Sequence, residues 1–490
     1  MEEPIDNLTT QSTSADEAQT DKSSAIPQGA TGEVASNVEA QNAPTDNADT
    51  TSTPLVKNAW LDANFPAGGF TPVLDLVRWD SDREIEFFRM TLFKDGSGDR
   101  RRGTRIQHNG RWHDVPSMPP ALSRALILPT QPDSFYSNRE LFDSIVALLR
   151  KHVMLPEKEC ALLAYWSMAT WFPDFLPFIP SVVITGPAAA ADLLLRTLVA
   201  VCRRPVLLAD ASPAVLSAIP LGELSPTLLM REPQLNRRMA ALLNASSQPG
   251  YLVHSGKDFQ QFYCAKCIYM GKHAKDQLLM PNSIHIHVGG RSWTSLQPLP
   301  TDDVIRDFQG RLLLYRIIRH DDVAASKFRV AGFRPETLAM AEVLGAVMVH
   351  DPELQSGIME LLQERDEQSR VDRASGQDGM VLKAVLWHCH QPDQQQQLFV
   401  REIAATVNRI YSEEGESLKI SSETVGHVLK NLGLYTRRLG NAGRGLVLDK
   451  TTQARAHELG YANEVLPDSS GVPVCGHCHK LQVIKTEEVV

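Results

Sequence analysis

The run Ser181-Val-Val-Ile-Thr-Gly186 is an apolar strand ending in a glycine, and Pro187 to Cys202 then reads as a helix. A strand, a glycine and a helix are the setting in which backbone amides cradle phosphates. That chemistry needs Gly, four variable residues, then Gly-Lys-Ser/Thr. Counted from Gly186, the second glycine falls on Ala191, the lysine on Asp192 and the hydroxyl on Leu193. A carboxylate stands where a cation should meet phosphate, and at surface-like dielectric that repulsion is worth about 4 kcal/mol. The strand Thr227-Leu-Leu-Met-Arg-Glu232 would, in a working ATPase, end in Asp-Glu, the Asp for the magnesium shell and the Glu for water. Here Arg231 replaces the Asp and Glu232 remains. Both charges are therefore reversed, which predicts that Asp192 and Arg231 face each other across the vacant site within about 4–6 Å. Removing one partner would cost about 3–5 kcal/mol if the pair is buried and far less if it is exposed. The alternative is that each side chain drifted separately and points to solvent.

A second cluster could bind nucleic acid. Between Thr424 and Ala456 lie Lys430, Arg437, Arg438, Arg444, Lys450 and Arg455, against Asp449 alone. Lys430 closes a short helix, and the three arginines flank the glycine turn Gly440-Asn-Ala-Gly443, a place where phosphates are met. The competing reading is a protein–protein module with a solvated basic edge. A third cluster is Cys475-Gly-His-Cys478-His479, half the spacing of a zinc site. Zinc at the C-terminus would need two further ligands, from His477, His479 or a second chain; without them the pair is an exposed, unliganded tail. The string also spells a haem attachment site, which the chain gives no other sign of using. Cys264 and Cys267 have the same spacing inside an expected strand, Phe262–Ile268, where side chains three apart point to opposite faces. They are expected to be core thiols. Trp166, Trp171, Phe172 and Trp387 are spaced like core and carry no assigned role.

The elements that must position these groups follow from pattern. Residues 60–129 hold short alternating stretches (Val73–Trp79, Glu84–Phe93, Thr104–Gln107, Ala125–Leu128) parted by turns, which predicts a small antiparallel β unit within residues 57–136. Arg100, Arg101, Arg102 and Arg105 are expected on one of its loops. Helices are expected over Ser137–Lys151, where Leu141, Ile145, Leu148 and Leu149 recur on one face, and over Pro156–Trp171. Strands near 182–185, 206–209, 227–230, 262–268 and 284–288 alternate with helices near 188–202, 213–219 and 233–244. Such alternation predicts an α/β domain (137–365) with a mostly parallel sheet flanked by helices. A helical segment near 335–365 and a charged linker, 366–379, follow. Residues 380–462 read as a winged helix, with helices at Met380–His390, Leu398–Tyr411 and after the capping Ser421, then a glycine-turn hairpin.

Composition bounds the rest. The chain has 490 residues, seven mostly scattered cysteines and a net charge of −9. Residues 1–56 carry ten acidic side chains against Lys22, so this stretch accounts for the whole net charge. With almost no large apolar residue it cannot offset its folding entropy and is expected to be a disordered acidic tail. No apolar run approaches the ~20 residues of a membrane span, and no signal-peptide pattern opens the chain. A soluble, cytoplasmic protein that does not engage membrane is expected.

Taken in order, residues 137–460 resemble a bacterial family related to the AAA+ ATPase modules of phage and plasmid primase-helicases, with a winged helix appended. The matching stretches are Ile184-Thr-Gly-Pro187, Pro205-Val-Leu207 with Ser212-Pro-Ala214, Ser225-Pro-Thr-Leu-Leu229, and Lys266 to Gly271 ahead of Ser283-Ile284. They continue with Val425-Gly-His-Val-Leu-Lys-Asn-Leu-Gly433, Arg437-Arg-Leu-Gly440 and Arg444-Gly-Leu-Val-Leu-Asp449. The resemblance implies a P-loop fold, assembly through the sheet domain, and an arginine before Ser283 that acts on a neighbouring subunit's nucleotide. This chain has Asn282 there, and losing such an arginine costs about 10³–10⁵ in rate where it is used.

The expectation is a non-hydrolysing, P-loop-fold scaffold or regulator on DNA, homo-oligomeric in line with the resemblance, with no ATP or magnesium bound. Its degenerate site comprises Gly186, Ala191, Asp192, Leu193, Arg231, Glu232 and Asn282. Its DNA contacts come from Lys430, Arg437, Arg438, Arg444 and Lys450, and zinc is the one metal candidate, at Cys475 and Cys478. Two alternatives stay open: an ATP-dependent helicase or primase-type enzyme with an unorthodox site including Glu232, and a winged-helix transcriptional regulator dimerised by a dead ATPase-like domain.

Overall fold

The structure is a computed structural model that describes residues 71–79, 84–92, 98–209, 211–231, 236–255, 258–271, 282–289, 298–391 and 396–465, together with Cys475 and Cys478. The acidic segment 1–56, Glu232, His477 and His479 lie outside the described residues.

Strands β1 (Val73–Arg78), β2 (Ile85–Leu92) and β3 (Gly98–Gly103) form an antiparallel sheet, and β4 (Arg105–His108) pairs with β5 (Arg111–Asp114). Arg100, Arg101, Arg102 and Arg105, expected on a loop, are strand residues. Each of the last three faces a carboxylate: Arg101 meets Asp99, Arg102 Glu86 and Arg105 Asp114. The expected strand Ala125–Leu128 does not form. Pro120 sits in the first turn of helix α1 (Pro120–Ala125), a position where its fixed φ favours helix, and the chain then extends beside Arg78, whose amide donates to the Pro129 carbonyl at 2.9 Å, without forming a strand.

Helices α2 (Asn138–Val153) and α3 (Glu157–Ala169) follow as expected, α2 opened by Ser137, whose hydroxyl accepts from the Glu140 amide. Then come β6 (Ser181–Thr185), α4 (Ala188–Leu198), β7 (Pro205–Leu208), α5 (Pro213–Ala218), α6 (Leu221–Leu224), β8 (Thr227–Arg231) and α7 (Arg237–Ala245). A hairpin of β9 (Leu252–Ser255) and β10 (Asp258–Gln261) precedes β11 (Ala265–Tyr269) and β12 (Ser283–His287). The central sheet is five-stranded and wholly parallel, in the order β12-β6-β11-β8-β7. Its two faces feed two cores. Val182, Ile184, Cys267 and Tyr269 join one, Val183, Leu228, Met230 and Ile268 the other. Cys264 and Cys267 fall on opposite cores, both fully buried, as core thiols should.

The long helix α8 (Asp302–Ala324) has no counterpart in the pattern reading. It is buried on most sides, so the one-face periodicity that marks a surface helix is missing. Gln309 on it donates to the carbonyls of Val199, Ala200 and Cys202, at 3.3, 3.0 and 2.9 Å, just beyond the end of α4. Helix α9 (Pro335–Ala346) is followed by α10 (Pro352–Ser375) and α11 (Gln377–Cys389). The expected linker 366–379 is thus helical, broken at Gly376 alone, because α10 keeps its i,i+4 pairs, such as Arg370 with Asp366 at 2.9 Å.

The last module comprises α11, β13 (Gln397–Phe399), α12 (Val400–Glu413), α13 (Ser422–Asn431), β14 (Arg437–Arg438), β15 (Arg444–Val447) and α14 (Lys450–Ala462). Its strands form a three-stranded antiparallel sheet in the order β13-β15-β14, and it has its own core around Val385, Leu398, Val407, Leu429 and Leu446. Gly445 is forced by packing, since a Cβ there would stand 2.5 Å from the Leu398 carbonyl oxygen. Trp387, expected in the core, is 39% exposed on α11, and Arg409 lies over its ring at 4.5 Å.

Candidate nucleotide and nucleic-acid sites

Ligands of open α/β sheets sit beyond the carboxyl ends of the strands where the strand order reverses. That place here is the end of β6, flanked by β11 and β12. Gly186 occupies it at φ +117°, and a Cβ there would lie 1.9 Å from the Val288 carbonyl oxygen, so only glycine fits. Its own carbonyl accepts from the Tyr269 hydroxyl at 2.9 Å. Two residues after the strand, α4 has already begun. A phosphate loop needs those next residues unwound, with their amides turned to the ligand. Instead the Ala190 and Ala191 amides both donate to the Pro187 carbonyl at 3.1 Å. Leu193, at the hydroxyl position, is buried.

Asp192 and Arg231 form the reversed pair: Arg231 donates to the Asp192 carboxylate at 2.8 Å. The two side chains keep 42% and 32% of their surface, so the exposed branch of the energetic expectation applies. Asp192→Ala should cost about 1 kcal/mol or less in denaturant unfolding. The double exchange Asp192→Lys with Arg231→Asp should be milder than either single change, and a loss of several kcal/mol on Asp192→Ala would contradict this solvent-facing placement. Asn282 is not brought to the loop. It precedes β12 level with the start of β6, where its carbonyl accepts from the Ser181 amide at 3.3 Å. Gly186 lies five residues further along, each step about 3.3 Å.

The C-terminal module carries an open groove of about 650 Å³ between α13 and the β14–β15 hairpin. Ser421 caps α13 by accepting from the Thr424 amide, and Ser422, Glu423, Gly426, His427 and Lys430 line the groove from one face of that helix. Arg444, Tyr435 and Thr436 line it from the hairpin, Arg401 from the start of α12. Arg444 is held by donating to the Thr436 carbonyl at 3.1 Å. Across the ladder Arg438 is directly opposite Arg444. Lys430, Arg437, Arg438 and Lys450 are exposed, and among the described residues none of the four, nor Arg444, has a carboxylate within salt-bridge distance. Arg437, Arg438 and Lys450 are not among the groove-lining residues; they flank it. Arg401 and His427 escaped the sequence reading. Arg401 reaches the groove only because β13, just before it, pairs with β15.

Cys475 and Cys478 come together, the Cys478 amide donating to the Cys475 sulfur at 3.4 Å. Their partners are His390, which ends α11, and His457 in α14. No spacing rule could have joined residues this far apart in sequence.

No protein-family model matches the chain, and no curated protein matches it in sequence. Among solved structures it is similar to a full-length MCM homolog from Methanopyrus kandleri, at 12% identity over 61% of this chain and 76% of that one, with a TM-score of 0.34. It is also similar to the C-terminal region of NrS-1, at 13% identity, 71% and 83% coverage and a TM-score of 0.31. A third is Drosophila ORC bound to DNA, at 11% identity, 68% and 95% coverage and a TM-score of 0.16. Among the described residues no helix is long and apolar enough to cross a membrane.

Proposed function

We propose that the chain is a non-hydrolysing, P-loop-fold protein that binds duplex DNA through a C-terminal winged helix and serves as a scaffold or regulator. The observation that carries the DNA reading is the hairpin pair Arg438 and Arg444. Like charges directly opposite on a ladder destabilise a hairpin unless an anion lies over them. They rim a groove whose helical wall, α13, presents Gly426, His427 and Lys430, the arrangement a recognition helix needs to meet a major groove. The loss of hydrolysis rests on α4, whose first turn fills the space a phosphate loop would occupy, and on Asp192 and Arg231 closing over the strand ends. Assembly through the sheet domain is the oligomeric reading that goes with it.

The test is a titration of the full chain with ATP and magnesium, with and without duplex DNA. Salt-sensitive DNA binding is expected, with no ATP binding in the range of about 1 mM and no phosphate release in either condition. DNA-stimulated hydrolysis would favour the helicase-type reading instead.

A further inference from the structure

The Cys-x-x-Cys Cys475–Cys478 comes together with two histidines carried by α11 and α14 of the C-terminal module. The imidazole Nε2 atoms of His390 and His457 are 3.0 Å apart, Cys475 Sγ is 3.1 Å from His457 Nε2, and Cys478 Sγ is 3.3 Å from His390 Nε2. All four ligand atoms lie within 4.8 Å of one another. A tetrahedron drawn at ordinary zinc–sulfur and zinc–nitrogen lengths has edges of about 3.3–3.8 Å. Taking the ion would need these three short contacts to open by a few tenths of an ångström and the widest separations in the cluster, up to 4.8 Å, to close by about 1 Å.

The surroundings match what such ligands require. His457 Nδ1 is 2.7 Å from the Gln453 carbonyl, which fixes the proton on that nitrogen and leaves the Nε2 lone pair directed at the cluster. The Cys478 amide donates to the Cys475 sulfur, the kind of outer hydrogen bond that orients a metal-binding sulfur. His457 and Cys478 are buried, at 1% and 5% exposure, so neither relies on bulk water for its polar contacts. Two imidazoles and two sulfurs meeting head-on with no carboxylate among them make poor mutual hydrogen-bond partners but a common zinc set.

We infer that His390, His457, Cys475 and Cys478 form a structural zinc site that fastens the two cysteines to the end of α11 and the middle of α14. With all four positions filled by protein it has no open position for substrate, so its role is to hold the fold.

The test uses the full chain, expressed with zinc supplied and dialysed into metal-free buffer. About one zinc per chain is expected by elemental analysis, falling to below about a tenth in the double variant C475S/C478S. Should that variant fail to fold, the wild-type protein decides the matter by cobalt(II) titration after mild chelation. A tetrahedral site with two thiolates gives intense visible d–d bands and sulfur-to-cobalt charge transfer. Zinc-free wild-type protein that gives only the weak spectrum of six-coordinate cobalt would overturn the inference. So would a Cys475–Cys478 disulfide in freshly isolated protein.

Discussion

Asp75→Ala is expected to cost about 3–5 kcal/mol of stability, because it strands three buried arginines. Asp75 lies on β1 and is 2% exposed. Arg203 donates to it at 3.0 and 3.2 Å, Arg204 from its Nε at 3.0 Å and again from its Nη2, and Arg316 Nε is 3.0 Å away. Those arginines come from the turn before β7 and from the middle of α8, and all three are nearly as buried as the carboxylate. One side chain thus joins the N-terminal sheet, the central sheet and the long helix. Removing it leaves three buried guanidinium groups with Asp174, bonded to Arg316, as the remaining carboxylate in the network. Arg203→Ala should be milder, because it leaves two arginines facing two carboxylates. Burial by itself would raise the Asp75 pKa, but Arg203, Arg204 and Arg316 outweigh it and hold the group far below the usual carboxylate range. A depressed pKa stabilises the fold at every pH above the unfolded value of about 3.9, and that contribution fades as pH falls toward the folded value. The difference between wild type and Asp75→Ala in denaturant unfolding should therefore be flat from pH 8 to about 5 and narrow only below about 4. A variant as stable as wild type, or a difference already shrinking at pH 6, would show that this network does not hold the three layers together.

The same network shows where sequence reading reaches its limit. β6, α4, β8 and β12 were legible because apolar runs and a glycine at a forced turn are local signals. The Asp192–Arg231 pair was legible because a known loop geometry says which two positions must face each other. Asp75 gave no such signal, since its partners are well over a hundred residues away and a lone acid in a strand reads as solvent-facing. Helix α8 was hidden by its own burial: with Arg316, Arg319 and Gln309 inside, it shows no polar face. The basic residues of the C-terminal module were legible as composition. Their grouping around one groove depends on β13 pairing with β15, which brings Arg401 beside Arg444. Likewise two ligand positions of the Cys/His cluster follow from spacing, and the other two only from the packing of α11 against α14.

Replacing Arg437, Arg438 and Arg444 together with alanine is expected to weaken duplex DNA binding on the order of 10²–10³-fold at 0.1 M salt, with the difference vanishing near 1 M. Each neutralised phosphate contributes about 0.9 to the slope of log affinity against log salt, so losing three should flatten that slope by about 2.7. The residues suit this role for geometric reasons. β14 and β15 are short, Arg438 and Arg444 are paired across them, and Arg444 is held upright by its bond to the Thr436 carbonyl. The hairpin presents positive charge at one rim of the groove while Lys430 and Arg401 present it at the others. The three arginines are exposed and make no ion pair among the described residues, so truncating them should leave thermal unfolding nearly unchanged. A charge-keeping triple change to lysine should retain the slope while losing part of the affinity, because lysine meets phosphate as a point charge and not through a planar fork. That contrast separates phosphate contact from mere hairpin packing. If the alanine triple variant folds and its salt slope equals that of wild type, the hairpin does not touch DNA, and the exposed arginines are a solvated edge of a module that binds something else.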